Sequence, residues 1–193
     1  MEKIDRNKAI IIASAKKLFS HYGFKKTTMD EIATEAGKGK SSLYYYYSSK
    51  EEVFAAVVEE ESVHLQDTIH KAIESKQKAS EKLKAYIKTS VRSIQEMANL
   101  NEAIQNEFLS HYVIIEQIRQ KYYAQEVQTV QQILKLGMEK ESFDLPDPEF
   151  TARAVVRVMK AMEIPLRIDM PERNLDEEID KLMHMILYGI VKR

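Results

Sequence analysis

Apolar positions recur along the chain at the three- and four-residue spacing of helices, and polar or glycine-bearing stretches divide them into nine predicted segments. The first runs from about Arg6 to Tyr22 with Ile11, Ala15, Leu18, Phe19 and Tyr22 on one stripe. Gly23 stops it, offering the left-handed C′ position that side chains with a Cβ resist. Thr28-Met29-Asp30-Glu31 reads as a capping box for a brief second helix, which turns Ile32, Ala33 and Ala36 inward and ends at Gly37. Beyond the turn Gly37-Lys38-Gly39-Lys40 comes a third short segment, Ser41 to Tyr47, with Leu43 and Tyr47 facing inward.

A fourth helix follows Ser48 and Ser49, with Val53, Phe54, Val57, Val58, Leu65, Ile69 and Ile73 on its stripe. Ser75 to Ser80 is polar and marks a break. Leu83, Ile87, Val91, Ile94 and Ala98 define a fifth helix, ended by Asn99-Leu100-Asn101. A short sixth carries Ile104, Phe108 and Leu109, and a long seventh carries Ile115, Ile118, Tyr122, Val130 and Ile133. Asp147-Pro148 opens the eighth, where proline's missing N–H costs nothing. Asn174-Leu175-Asp176-Glu177 resembles a cap for a ninth, with Ile179, Leu182, Met183, Ile186, Leu187 and Ile190. The predicted class is all-α.

Composition narrows the picture. Apolar residues are 44% of the 193 and charged residues 31%, which fits a packed core and excludes a disordered or collagen-like chain. No run approaches a membrane span of about 18–20 apolar residues. The charged start Met1-Glu2-Lys3-Ile4-Asp5-Arg6 lacks an apolar segment, so no signal peptide and a cytoplasmic location are expected. With no cysteine there are no disulfides, thiolate nucleophiles or thiolate metal sites, and no cofactor is expected. The net charge of −1 hides an asymmetry: residues 1–50 hold 10 Lys and Arg against 5 Asp and Glu, and the remainder 19 against 25. A basic first quarter on an acidic body suits contact with a polyanion.

Helix, short helix, glycine turn, short helix is a helix-turn-helix arrangement, whose second short helix enters the DNA major groove. Ser41 and Ser42 can bond bases or phosphates, Lys40 is a cation at the helix start, and Tyr44, Tyr45 and Tyr46 are amphipathic. The same pattern also suits two small helices packed in an ordinary bundle with half-buried tyrosines.

The residues Ile11-Ile12-Ala13-Ser14-Ala15-Lys16-Lys17-Leu18-Phe19, Tyr22-Gly23-Phe24, Thr27-Thr28, Ile32-Ala33, Ala36-Gly37, Leu43-Tyr44 and Ser49-Lys50-Glu51 together resemble the signature of the TetR (tetracycline-repressor-like) regulators. The resemblance covers the first quarter of the chain. It implies a DNA-binding domain at 1–50, an effector-binding and dimerisation domain at 51–193, and a homodimeric, ligand-responsive transcription factor, usually a repressor on a palindromic operator of double-stranded DNA. Carried over, the phosphate contacts fall on Thr28, Tyr44 and Lys50, and the base-reading and neighbouring contacts on Lys40, Ser41, Tyr45 and Tyr46. Lys38 and Ser42 complete the candidate set. Lys38, Gly39 and Tyr47 depart from the usual apolar residue, Ser or Thr, and Phe, which shifts capping of the third helix to Ser41 or to Gly39.

The resemblance also implies an effector pocket among helices five to eight. Tyr86, Met97, Phe108, Tyr112, Ile115 and Tyr122 offer apolar bulk with a few hydroxyls, and Asn106 and His111 offer orienting polar groups, a mix suited to an apolar or aromatic small molecule. Each would serve equally as core. The last two helices carry Val155, Val158, Met159, Met162 and Ile179, Leu182, Met183, Ile186, which would pair across a twofold axis or close the monomer's own core.

Two other classes compete. Glu61-Ser62-Val63-His64 matches the Glu-x-x-His of di-iron bundles, and Asp67-Thr68-Ile69-His70 echoes it, but both lie on one helix where two helices are needed. A helix-turn-helix that binds protein rather than DNA is the third class. Neither predicts a membrane partner.

Overall fold

A computed structural model describes residues 2–99, 108–140, 142–162 and 175–189, and among them all regular structure is helical. Eight helices are described: α1 (Glu2–Tyr22), α2 (Met29–Glu35), α3 (Lys40–Tyr46), α4 (Lys50–Glu74), α5 (Ala79–Asn99), α6 (Phe108–Glu139), α7 (Pro148–Met162) and α8 (Leu175–Tyr188). The all-α class follows the periodicity, with one correction. Phe108 and Leu109 belong to the same continuous helix as Ile115 and Ile133, so the expected short sixth and long seventh helices merge from Phe108 onward. Nothing between Leu109 and Ile115 breaks a helix, and the apolar stripe alone could not mark a boundary there. Ile104, Ile190 and the Asn174 cap lie outside the described residues.

The chain forms two compact units: Met1–His64 with Met97–Lys121, and Leu65–Glu96 with Tyr122–Arg193. In the first, α1 packs on α2 and α2 on α3. The ends of these helices are built as the sequence indicates. Gly23 takes φ 81° at the end of α1, its N–H bonding the Phe19 carbonyl at 3.0 Å. Thr28 and Glu31 form the capping box of α2, and Gly37 closes it at φ 62°. Gly39 is the N-cap of α3, with no side chain to contribute. The core beneath holds Ile11, Ala15, Ile32, Leu43 and Val53, around a triangle of Phe19, Phe24 and Phe54 with ring centroids 5.3–5.8 Å apart. Offset and edge-on rings at this range add to the burial energy.

The second unit has its own core. Leu83, Ile87 and Val91 from α5 meet Val130, Ile133 and Leu134 from α6, Ala152, Val156 and Met159 from α7, and Ile179 and Met183 from α8. Asp147 caps α7 by accepting from the N–H groups of Glu149 at 3.0 Å and Phe150 at 2.9 Å, with Pro148 in the first turn.

Candidate nucleic-acid interface

α3 is only seven residues long, too short to persist alone in water, so its stability comes from what it packs on. Leu43 is fully buried, and Tyr47, in extended conformation just past the helix end, is buried as well. Burial pushes the Tyr47 hydroxyl above the usual tyrosine range, with Glu60 adding to the shift. These two anchors turn the opposite face outward. Tyr45 is 76% exposed and Tyr44 45%, while Ser41 lies open and Ser42 is half-buried. Tyr46 turns toward α1, where its hydroxyl accepts from Asn7 Nδ2 at 2.9 Å, and its ring meets Tyr45 edge-on at 5.1 Å.

The lysines of the turn are engaged within the domain. Lys38 donates to Asn7 Oδ1 at 2.8 Å, so Asn7 links the turn and α3 to α1. Lys40 pairs with Asp30 at 2.9 Å, and that hydrogen bond, with the carboxylate's charge, raises the lysine's pKa. The pair is exposed and adds little stability; it holds the start of α3 beside α2. Lys17 ties α1 to Glu35 at the end of α2 at 2.6 Å. The Thr28 hydroxyl accepts the Glu31 N–H at 3.2 Å and donates to the Glu31 carboxylate at 2.9 Å. Its capping role is complete before any phosphate approaches.

Lys50 is engaged within the domain itself. Its Nζ donates to the carbonyls of Phe24 at 2.7 Å, Thr27 at 2.8 Å and Lys25 at 3.4 Å, and stands 4.2 Å from the centroid of the Phe24 ring. The three donors of the ammonium are thus directed at the loop between α1 and α2. This residue holds that loop, whose carbonyls have no helical partner and accept from the ammonium. Asn7 and Asp30 were not among the candidates. Their partners lie 39, 31 and 10 residues away, and no local pattern marks them.

The remaining candidates scatter. Tyr86 is buried in the second unit's core and Tyr122 is half-buried. Asn106, and the side chains of Met97, Phe108, His111, Tyr112 and Ile115, lie outside the described residues. On the last two helices Val155, Met159, Ile179 and Met183 are buried among the chain's own core residues, while Leu182 and Ile186 pack against them. In the single chain they pack with residues of α4, α5 and α6 in one core. Val158 is 46% exposed; Met185 and Tyr188, which the stripe did not include, are exposed as well. The Met162 side chain lies outside the described residues. Glu61 pairs with Lys16 and His70 with Glu74 at 3.1 Å; among the described residues no three metal-ligating side chains cluster.

Residues 11–57 match the sequence model of the bacterial regulatory proteins of the tetR family. A transcriptional regulator from Cytophaga hutchinsonii shares the fold at TM-score 0.79 and 29% identity, over 93% of this chain and 95% of that one. The fatty acid degradation regulator FadR from Bacillus halodurans aligns at TM-score 0.71 and 19% identity, over 96% and 97% of the two chains. FadR from Bacillus subtilis, in complex with stearoyl-CoA, aligns at TM-score 0.67 and 17% identity, over 95% and 99%. No curated protein sequence matches the chain. Residues 11–57 thus form a helix-turn-helix domain of the tetR family, and the chain as a whole shares the fold of the transcriptional regulator from Cytophaga hutchinsonii.

Proposed function

We propose that the chain is a homodimeric repressor that leaves a palindromic operator when a small apolar molecule binds its helical body. The observation that carries this reading is the outward face of α3: Tyr45 and Tyr44 stand exposed over a buried Leu43 and Tyr47. Large amphipathic rings held on a rigid base suit contact with base edges and sugar, and a polyanion matches the basic first fifty residues. One seven-residue reading helix specifies few base pairs; two related by a twofold axis specify a palindrome. Val158, Met185 and Tyr188 supply exposed apolar surface on α7 and α8 for that pairing.

For the effector, the two FadR relatives suggest an acyl chain, which agrees with the apolar character of the second unit. On this reading residues 1–50 bind DNA, and 51–193 bind the effector and dimerise, in the cytoplasm and without a cofactor. The effector acts by binding the conformation that does not fit DNA more tightly than the one that does. α4, a single helix from Lys50 to Glu74, is the element through which the change travels.

The test is a binding assay on the DNA flanking the chain's own coding region, with scrambled duplex as reference. Tyr45→Ala is expected to reduce the specific-to-scrambled ratio by about 1–3 kcal/mol without lowering thermal stability. Equal affinity for both duplexes in the unaltered protein overturns the operator reading. An unchanged ratio in the variant removes Tyr45 from the reading face.

A further inference from the structure

Among the described residues of the second unit, two buried polar side-chain atoms have no hydrogen-bond partner: the Lys160 ammonium on α7 and the Tyr123 hydroxyl on α6. Both are buried, and the Lys160 Nζ lies 5.0 Å from the centroid of the Tyr123 ring. The ring face attracts the cation but accepts no hydrogen bond from it in the way an oxygen does. Burial without an acceptor is costly for a hydroxyl and more so for an ammonium, and folded proteins seldom leave either group so. Lys121, two residues before Tyr123, pairs with Glu59, and Lys84 pairs with Asp180. Among the described residues Lys160 faces the Tyr123 ring and forms no ion pair with a carboxylate.

We propose that Lys160 and Tyr123 form the seat for the carboxylate of an apolar monoanion such as a fatty acid. A carboxylate accepts at two oxygens, so it satisfies the ammonium and the hydroxyl together. One negative charge balances the one ammonium, whereas the several phosphate charges of an acyl-CoA exceed it. Val127 on α6 and Val156 on α7 each lie four residues from the polar pair and pack in the unit's core, so the pair is flanked by apolar side chains. This inference rests on the ligand-responsive reading above and names the chemistry of the ligand.

The experiment titrates the full-length protein with dodecanoate, dodecanol and dodecanoyl-CoA, by calorimetry and thermal shift. Dodecanoate is expected to bind and raise the unfolding midpoint, with dodecanol and the CoA ester weaker by roughly tenfold or more. Lys160→Met is expected to weaken dodecanoate by roughly tenfold to a hundredfold and leave dodecanol unchanged. Without ligand it should unfold no earlier than the unaltered protein, because an apolar side chain replaces an unpaired charge. Tyr123→Phe, which keeps the ring, is expected to weaken dodecanoate several-fold and serves if Lys160→Met fails to fold. Equal binding of acid and alcohol, preference for the CoA ester, or dodecanoate binding untouched by both substitutions overturns the seat. Release of operator DNA is scored separately. Tight, Lys160-dependent binding without release supports the seat and sinks the effector reading; release by another apolar molecule, equal in Lys160→Met, does the reverse.

Discussion

Lys50 grips Phe24 at two points, donating to its carbonyl at 2.7 Å while standing 4.2 Å from the centroid of its ring. The same ammonium takes the Thr27 carbonyl at 2.8 Å, so the first residue of α4 closes the loop that leads into α2. Phe24 is in turn one corner of the aromatic triangle under the reading head. The ammonium therefore ties the start of α4 to the loop between α1 and α2.

Replacing Lys50 with Met keeps the stem and removes the donors. The loop carbonyls lose their partners, and the unfolding midpoint is expected to fall by roughly 2–6 °C. Affinity for DNA should drop modestly, with the slope of log affinity against log salt unchanged. A slope flattened by about one per subunit would instead assign the ammonium to a phosphate. The salt series in both proteins decides between them.

Alkaline pH should weaken the same domain through Tyr47. Its raised pKa, caused first by burial and then by Glu60, means that the unfolded chain ionises before the folded one. The contribution of Tyr47 to stability is constant below about pH 10, the ordinary tyrosine value, and is lost as pH rises from there through the folded value. Tyr47→Phe removes that group. Its unfolding midpoint should fall less steeply above pH 10 than that of the unaltered protein, and an equally steep fall would remove Tyr47 as the cause.

Neighbouring residues on α7 should behave in opposite ways. Val158 is 46% exposed and Met159 4%. Val158→Glu is expected to leave the helical signal intact and yield monomers at micromolar concentration in sedimentation. Met159→Glu places a charge in the core and should abolish cooperative unfolding of the second unit. A Val158→Glu protein that stays dimeric moves the dimer face elsewhere.

Gly137 is required by its neighbour rather than by its backbone. A Cβ there would collide with the ring of Phe143, which folds back over α6 from the link to α7. Gly137→Ala must displace the ring, at a cost of about 1–3 kcal/mol. In a Phe143→Ala background the same substitution should cost almost nothing, and a denaturant-unfolding double-mutant cycle measures the coupling. Additive effects would show that the ring gives way freely. Phe143 also lines a cavity of about 490 Å³ with Leu83, Leu134 and Leu187, so its displacement changes that space as well.

Periodicity and local chemistry by themselves determined the helical class and most helix ends. Gly23 and Gly37, the Thr28–Glu31 box and Asp147-Pro148 act on backbone groups only a few residues away, and such signals are complete within the sequence. Leu43 and Tyr47 were legible as anchors because they sit four apart on one face. Tertiary structure alone decided what the charged and apolar side chains do once those helices meet. Lys50 reaches a loop 23 to 26 residues earlier in the chain, and Asn7 bonds Lys38 and Tyr46. The stripes of α7 and α8 close their own unit's core, leaving Val158, Met185 and Tyr188 outside. A helix stripe states that a face seeks cover without naming what covers it, and an ammonium seeks acceptors without naming which. Both choices depend on distances that exist only after distant segments are packed together.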